Sequence, residues 1–272
     1  MVSIEFVGAP GVGKSTQKAA VIEQLSAEGF RSYLTVEDAL LHVARRNIDR
    51  PMRLLLNLLP RPVGRDLLER IGPRSYWFQE AQIRFLADSY PALEGLLNAP
   101  IFQQYSPADK QALFAGFLPA GATLECLKAG GLSHSSVVFD EGLVQKSMMF
   151  VAPCVHALDE ESVSVYLQRI SHPEVLFLFA APYETCLKRM TARPKGTIRR
   201  LQGVSEQGLK RMYDNSRRHW AFVADWFDQH TRTQVVWVPA LPRDETRQFV
   251  VSALQKVDMC SHNSPLMWEE SH

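Results

Sequence analysis

Apolar residues in this chain fall into five short, nearly continuous runs, separated by stretches in which they recur at helical spacing. Residues 2–7 hold Ile4, Phe6 and Val7, and such a run predicts a strand covered on both faces in a parallel sheet. Similar runs at about 31–36, 137–139, 175–179 and 235–238 predict four more strands. Between the first two, Ala20, Val21 and Leu25 share one face of a helix predicted over about 14–28 and stopped by Gly29. Further helices are predicted over about 142–150, 159–169, from Tyr183, over 204–229 and over 243–256. Residues 38–132 read as helices broken by Pro51, Pro60, Pro62, Pro73, Pro91, Pro100, Pro107 and Pro119, the strongest spanning about 75–88. Alternating strands and helices imply a parallel sheet with right-handed crossovers, and ligands bind such sheets at the carboxyl ends of the strands. The expected organisation is one α/β domain over 1–257, with a helical insertion at about 38–132, a lid at about 188–203 and a flexible tail at 258–272.

Composition narrows this picture only in part. A chain of 272 residues with 46% hydrophobic and 22% charged residues is ordinary for a folded soluble protein. A net charge of +1 gives no general attraction to a nucleic acid polymer or an anionic membrane. Cys126, Cys154, Cys186 and Cys260 are widely spaced with no C-x-x-C pair, which fits a reducing cytoplasmic setting and neither zinc nor a disulfide framework. The apolar run Leu54–Leu59 is short and bounded by Pro51 and Pro60, so no membrane span is expected. A homodimer is compatible with all of this.

The candidate chemistry begins at the end of the first strand. Gly8-Ala9-Pro10-Gly11-Val12-Gly13-Lys14-Ser15-Thr16 meets the pattern G-x-x-x-x-G-K-[ST] through Gly8, Gly13, Lys14 and Ser15. Glycines let the backbone curl so that N–H groups face a phosphate chain, and the helix that follows adds its own anion-binding field. The lysine places a charge on the β- and γ-phosphates, and the Ser15 hydroxyl can bind Mg²⁺. Asp140, closing the third strand, has the form of a strand-end carboxylate that holds Mg²⁺, and Glu141 beside it could polarise a nucleophile; the same pair could instead cap the next helix. Glu37, read as the end of the second strand, could take a proton from an acceptor hydroxyl or cap a helix. Residues 188–200 hold Lys188, Arg189, Arg193, Lys195, Arg199 and Arg200 with no acid, broken by Pro194 and Gly196. That suits a lid closing over phosphates, with Arg189 and Arg193 on one helical face.

Eight arginines at 45, 46, 50, 53, 61, 65, 70 and 74 stand without a lysine. An anionic acceptor or an acidic partner would account for them, and so would a basic amphipathic surface. The aromatic helix around Tyr76–Phe85 could stack an acceptor ring or simply fill core. The eight histidines show no metal spacing.

These features together resemble the P-loop kinases of small molecules, the thymidylate kinase and deoxynucleoside kinase group in particular. The resemblance is carried by Gly8–Thr16, by Val36-Glu37-Asp38, by Asp140-Glu141-Gly142, by Leu187–Arg193 and, more weakly, by Phe78-Gln79. It covers about residues 1–257. Two positions depart from the group: Glu37 is not followed by proline, and Asp140 is followed by Glu141 rather than arginine. The resemblance implies a three-layer α/β/α sandwich on a five-stranded parallel sheet of order 2-3-1-4-5. It implies ATP and Mg²⁺ as cofactors. It also implies γ-phosphoryl transfer to a small-molecule acceptor, nucleoside- or nucleotide-like by preference, by Lys14, Glu37, Asp140, Glu141, Arg189 and Arg193. The competing class is a P-loop ATPase that couples hydrolysis to a conformational or partner-binding role. A GTPase would need Asn-Lys-x-Asp, which the chain lacks.

Overall fold

The computed structural model describes residues 1–263 except 31, 48–49, 133–134, 152–157, 193–200 and 202. Its centre is a sheet of five parallel strands: β1 (Val2–Gly8), β2 (Tyr33–Thr35), β3 (Ser136–Phe139), β4 (Val175–Phe179) and β5 (Gln234–Val238), in the order β2-β3-β1-β4-β5. Four of these strands fall within a residue of the apolar runs that predict them. The second is shorter, because the chain turns into helix α2 (Val36–Asn47) directly after Thr35. The Thr35 hydroxyl accepts from the Asp38 N–H at 3.1 Å and starts that helix. Glu37 therefore lies in the first turn of α2, not at a strand end.

Alternation along β1 sends its side chains to two different layers. Ile4 and Phe6 pack with Val21, Leu25, Val250 and Leu254 of α1 (Lys14–Ala27) and α12 (Arg243–Asn263). Val7 packs on the opposite face with Phe117, Tyr166, Val223 and Phe227. Those residues come from α7 (Pro107–Ala129), α9 (Glu160–Arg169) and α11 (Glu206–His230). The result is the expected three-layer sandwich. The remaining helices are α3 (Arg50–Leu58), α4 (Arg61–Ile71), α5 (Tyr76–Asn98), α6 (Pro100–Gln103), α8 (Leu143–Lys146) and α10 (Tyr183–Thr191).

The prolines of the insertion act differently from the reading that each breaks a helix. Pro62, Pro100 and Pro107 sit in first turns, where the missing N–H is no loss. Pro91 and Pro119 lie inside α5 and α7, each 23 residues long. These two helices pack on each other, with the rings of Phe85 and Phe117 5.2 Å apart, and tertiary packing offsets one absent hydrogen bond per helix. Gly121 permits the approach, since a Cβ there would lie 2.1 Å from the Phe85 ring. By length and composition alone α7 could cross a membrane, which the reading of apolar runs does not register. Its residues Phe117, Cys126 and Leu127 are buried against the rest of the fold.

Four of the eight arginines in 45–74 are spent on the insertion itself. Arg45, Arg46 and Arg53 donate to the carbonyls of Leu56, Gly130 and Arg46, and Arg65 grips Asp38 through both nitrogens of its fork. Tyr76 and Gln79 are exposed, while Phe78 and Phe85 are core.

Candidate functional site

The loop between β1 and α1 is shaped by close backbone packing. Gly11 has φ +87°, and a Cβ there would stand 2.4 Å from the Cys186 carbonyl oxygen of α10. Gly13 has φ +106° and caps α1. Both positions favour glycine on conformational grounds, and Gly11 also on steric ones, although the four-residue signature omits Gly11. Ala9 and Val12 are buried in the core, so the loop is anchored at two non-glycine positions.

Two side chains fasten the loop from outside. Gln145 closes a pair of hydrogen bonds with Gly8: its Oε1 accepts from the Gly8 N–H at 2.9 Å, and its Nε2 donates to the Gly8 oxygen at 3.2 Å. Lys14 Nζ donates to the same oxygen at 2.9 Å. Arg189, on α10, donates to the Val12 oxygen at 2.8 Å. Arg193, Lys195, Arg199 and Arg200 lie outside the described residues.

A buried lysine connects two of the predicted acids. Lys18 sits one helical turn after Lys14, is 7% exposed, and places Nζ 2.7 Å from Asp140 Oδ1 and 2.9 Å from Glu37 Oε1. Burial opposes its charge, but the Asp140 and Glu37 carboxylates outweigh that and hold its pKa above the usual lysine value. Burial likewise works against the Asp140 carboxylate. Lys18, with a hydrogen bond from Ser15, nonetheless keeps its pKa below the normal aspartate range. Ser15 and Asp140, the two predicted metal ligands, are thus in contact.

Glu141 points elsewhere. It is exposed and pairs with Lys146 at 2.6 Å. Behind it lies a buried carboxylate that the sequence pattern hides: Glu5, in the middle of β1, is 4% exposed. It accepts from the N–H groups of Gln145 at 2.6 Å and Val144 at 3.2 Å, at the start of α8. Burial pushes its pKa up to about 7 despite these bonds. Gly142 leaves room for it, since a Cβ there would come within 2.4 Å of the carboxyl carbon. The next turn, Ser147–Phe150, is held by a contact of 2.8 Å between Ser147 Oγ and His219 Nε2, where burial drives the imidazole pKa down to about 3 and keeps it neutral.

Among the described residues, three cavities are lined by the loop. The one lined by Ala9, Val12, Tyr213 and Trp220 holds none of the candidate catalytic side chains, and the other two hold Lys14, Glu141 and Arg189 between them. One, of about 670 Å³, is lined by Gly13, Thr16, Gln17, Arg189 and the segment after β5 that includes Leu241 and Arg243. The other, of about 420 Å³, is lined by Lys14, Ser15, Glu141 and Lys146, with Tyr105 and Asp109 on its far side. Of the three acids expected near the chemistry, the second cavity is lined by Glu141, while Glu37 and Asp140 are held together by Lys18. Sequence reasoning missed Lys18, Gln145 and Glu5. The available signals were a lysine four positions after Lys14 and a glutamate inside an apolar run.

No family model matches the chain, and no curated protein matches it. Among solved structures it is similar to a deoxyadenosine kinase from M. mycoides, determined with the product dCMP and a flexible dCDP bound. That similarity has a TM-score of 0.42 and 12% sequence identity, over 94% of this chain and 99% of that one.

Proposed function

We propose that this chain is an ATP-dependent phosphotransferase that moves the γ-phosphoryl group of ATP to a hydroxyl of a small molecule. The observation that carries this reading is the placement of the loop between two cavities of different character. In such a loop the lysine reaches the β- and γ-phosphates, while the start of the helix takes the inner ones. Lys14 and Ser15 open on the cavity with Glu141, Gln17 opens on the cavity with Arg189, and Gly11, Gly13 and Thr16 line both. The nucleoside end of ATP accordingly belongs on the Arg189 side and the acceptor on the Glu141 side.

Ser15 and Asp140 fit Mg²⁺, a hard cation that takes a few oxygen ligands and retains several waters. It would supply charge neutralisation on the phosphates. In the transfer, the acceptor oxygen bonds to the γ-phosphorus while the bond from phosphorus to the β–γ bridging oxygen breaks. ADP leaves with that electron pair, and the hydroxyl proton passes to Glu141, whose other contact is the ion pair with Lys146. Lys18 holds Asp140 and Glu37 in place as a positioning residue. Arg189 fixes the loop's outer carbonyls.

The test is ATP turnover with and without hydroxyl acceptors. The kinase reading expects slow turnover alone, stimulation by an acceptor, and loss of both in Lys14→Ala. The exposure of Glu141 next to Asp140 also suits a second reading, a P-loop ATPase. Rapid acceptor-independent hydrolysis that disappears in Glu141→Gln would establish that reading instead.

A further inference from the structure

The charges around the acceptor-side cavity restrict what can sit there. It holds two cations, Lys14 and Lys146, and two acids, Asp109 and Glu141. Lys14 belongs to the phosphates and Lys146 is already paired with Glu141. Among the described residues that line it there is no arginine. Arg45, Arg46, Arg53 and Arg65, which the sequence offers as an anion clamp, bond to carbonyls and to Asp38 instead. Asp109 is half-buried at the start of α7. One carboxylate oxygen accepts from the Ser106 hydroxyl at 2.6 Å, and no cation in the structure is paired with it among the described residues. Once ATP enters, the cavity gains negative charge, and a phosphomonoester would face that charge and Asp109 with no arginine partner among the described lining residues.

The walls set a second limit. Ala112, Leu113, Met148 and Met149 form an apolar floor. Tyr105 is the one aromatic ring lining it, and its hydroxyl is tied down by the Met149 carbonyl. The cavity offers no pair of rings for stacking a base.

We infer that the acceptor is a hydroxylated molecule without a phosphate, uncharged or bearing an amine: a polyol, amino-alcohol or amino sugar. The inference rests on the kinase reading above and specifies the acceptor of that site. An ammonium group would find Asp109, while a neighbouring hydroxyl meets Glu141 and the γ-phosphoryl group.

The experiment uses the full chain with ATP and Mg²⁺. It measures ADP release and phosphorylated product for glucosamine, ethanolamine and glycerol, against deoxynucleoside monophosphates and glucose 6-phosphate. A labelled ATP analogue reports nucleotide binding in parallel. The expected result is kcat/KM at least about tenfold higher for the first group. Asp109→Asn should raise KM for glucosamine about tenfold while kcat and the KM for glycerol stay within about twofold. Preference for the monophosphates, or no turnover of the amine and polyol set while ATP still binds through Lys14, overturns the acceptor assignment and leaves the kinase reading standing. Failure to bind ATP, or hydrolysis indifferent to every acceptor, overturns the kinase reading. Asp109→Asn that weakens glucosamine and glycerol equally removes Asp109 as the amine partner and overturns that part of the inference.

Discussion

Replacing Lys18 by methionine should convert a neutralised cluster into two adjacent, partly exposed like charges. The Nζ contacts of 2.7 Å and 2.9 Å place the Asp140 and Glu37 oxygens no more than about 6 Å apart. At an effective dielectric of about 20, two unit charges at that spacing repel by about 3 kcal/mol. The Glu37 side chain is 38% exposed, and solvent screening reduces this to about 1–2 kcal/mol. Adding the lost attraction to Asp140, whose side chain is 16% exposed, gives a destabilisation of about 2–3 kcal/mol. For a chain of this size that lowers Tm by about 5–10 °C at pH 7.5. The pH dependence carries the sign. In the native protein the depressed Asp140 pKa contributes stability that is present above the unfolded aspartate value and lost as pH falls through the folded one. In the variant the pair picks up a proton easily, so the gap between variant and wild type should narrow as pH falls toward about 4, the unfolded carboxyl range. Thermal melts of both proteins at several pH values measure this, with Lys18→Met/Asp140→Asn as the relieving double substitution. A Tm at pH 7.5 unchanged in Lys18→Met, or a gap that does not close on acidification, would refute the reasoning.

Glu5 should act in the opposite direction. Its pKa, raised to about 7, means the folded state binds a proton that the unfolded chain has released, so this group removes stability between about pH 4.5 and 7. Glu5→Gln should flatten that part of the stability curve, by an amount of order 3 kcal/mol for a shift of this size; an unaltered curve in chemical denaturation would exclude a raised Glu5. Gln145→Ala leaves the Gly8 N–H and carbonyl without their amide partner, and ATP affinity should fall by about tenfold for a lost buried hydrogen bond of 1–3 kcal/mol; affinity within twofold of wild type in a titration would show that the loop holds itself. Arg189→Ala should weaken ATP binding and lower kcat, since the side chain both lines the nucleoside-side cavity and donates to the Val12 carbonyl; single-turnover kinetics separates the two effects, and unchanged values for both would remove Arg189 from the site.

The sheet was readable because strands buried on both faces leave unbroken apolar runs, and Val175–Phe179 has no other interpretation in a chain of this composition. The glycine-rich loop after β1 was readable because backbone curvature imposes glycine at fixed spacing. The insertion was read poorly, since a proline marks a break in an isolated helix, and nothing local announces that α5 and α7 will support each other through Pro91 and Pro119. Lys18 escaped because a lysine on a helix next to other polar residues looks like a solvated position. Its burial is decided by Glu37 and Asp140, which lie 19 and 122 residues further along the chain. Glu5 and Gln145 escaped for the same reason, because each is satisfied only by a partner about 140 residues distant, at the far side of a crossover.

The register of the central strand also has a consequence for how the protein is made. β1 precedes the other four strands along the chain, yet its neighbours are β3 and β4, and Gly8 lies opposite Phe179. Gly11 then rests on the backbone at Cys186. The glycine-rich signature therefore cannot take its final shape until the chain has been synthesised as far as β4 and α10. During that interval an apolar strand and the long apolar helix α7 wait without their partners, which is the condition that invites chaperone binding and aggregation. On the kinase proposal, ATP cannot stabilise the nascent chain until β4 and α10 are in place, so the nucleotide should rescue late folding steps and leave early ones untouched.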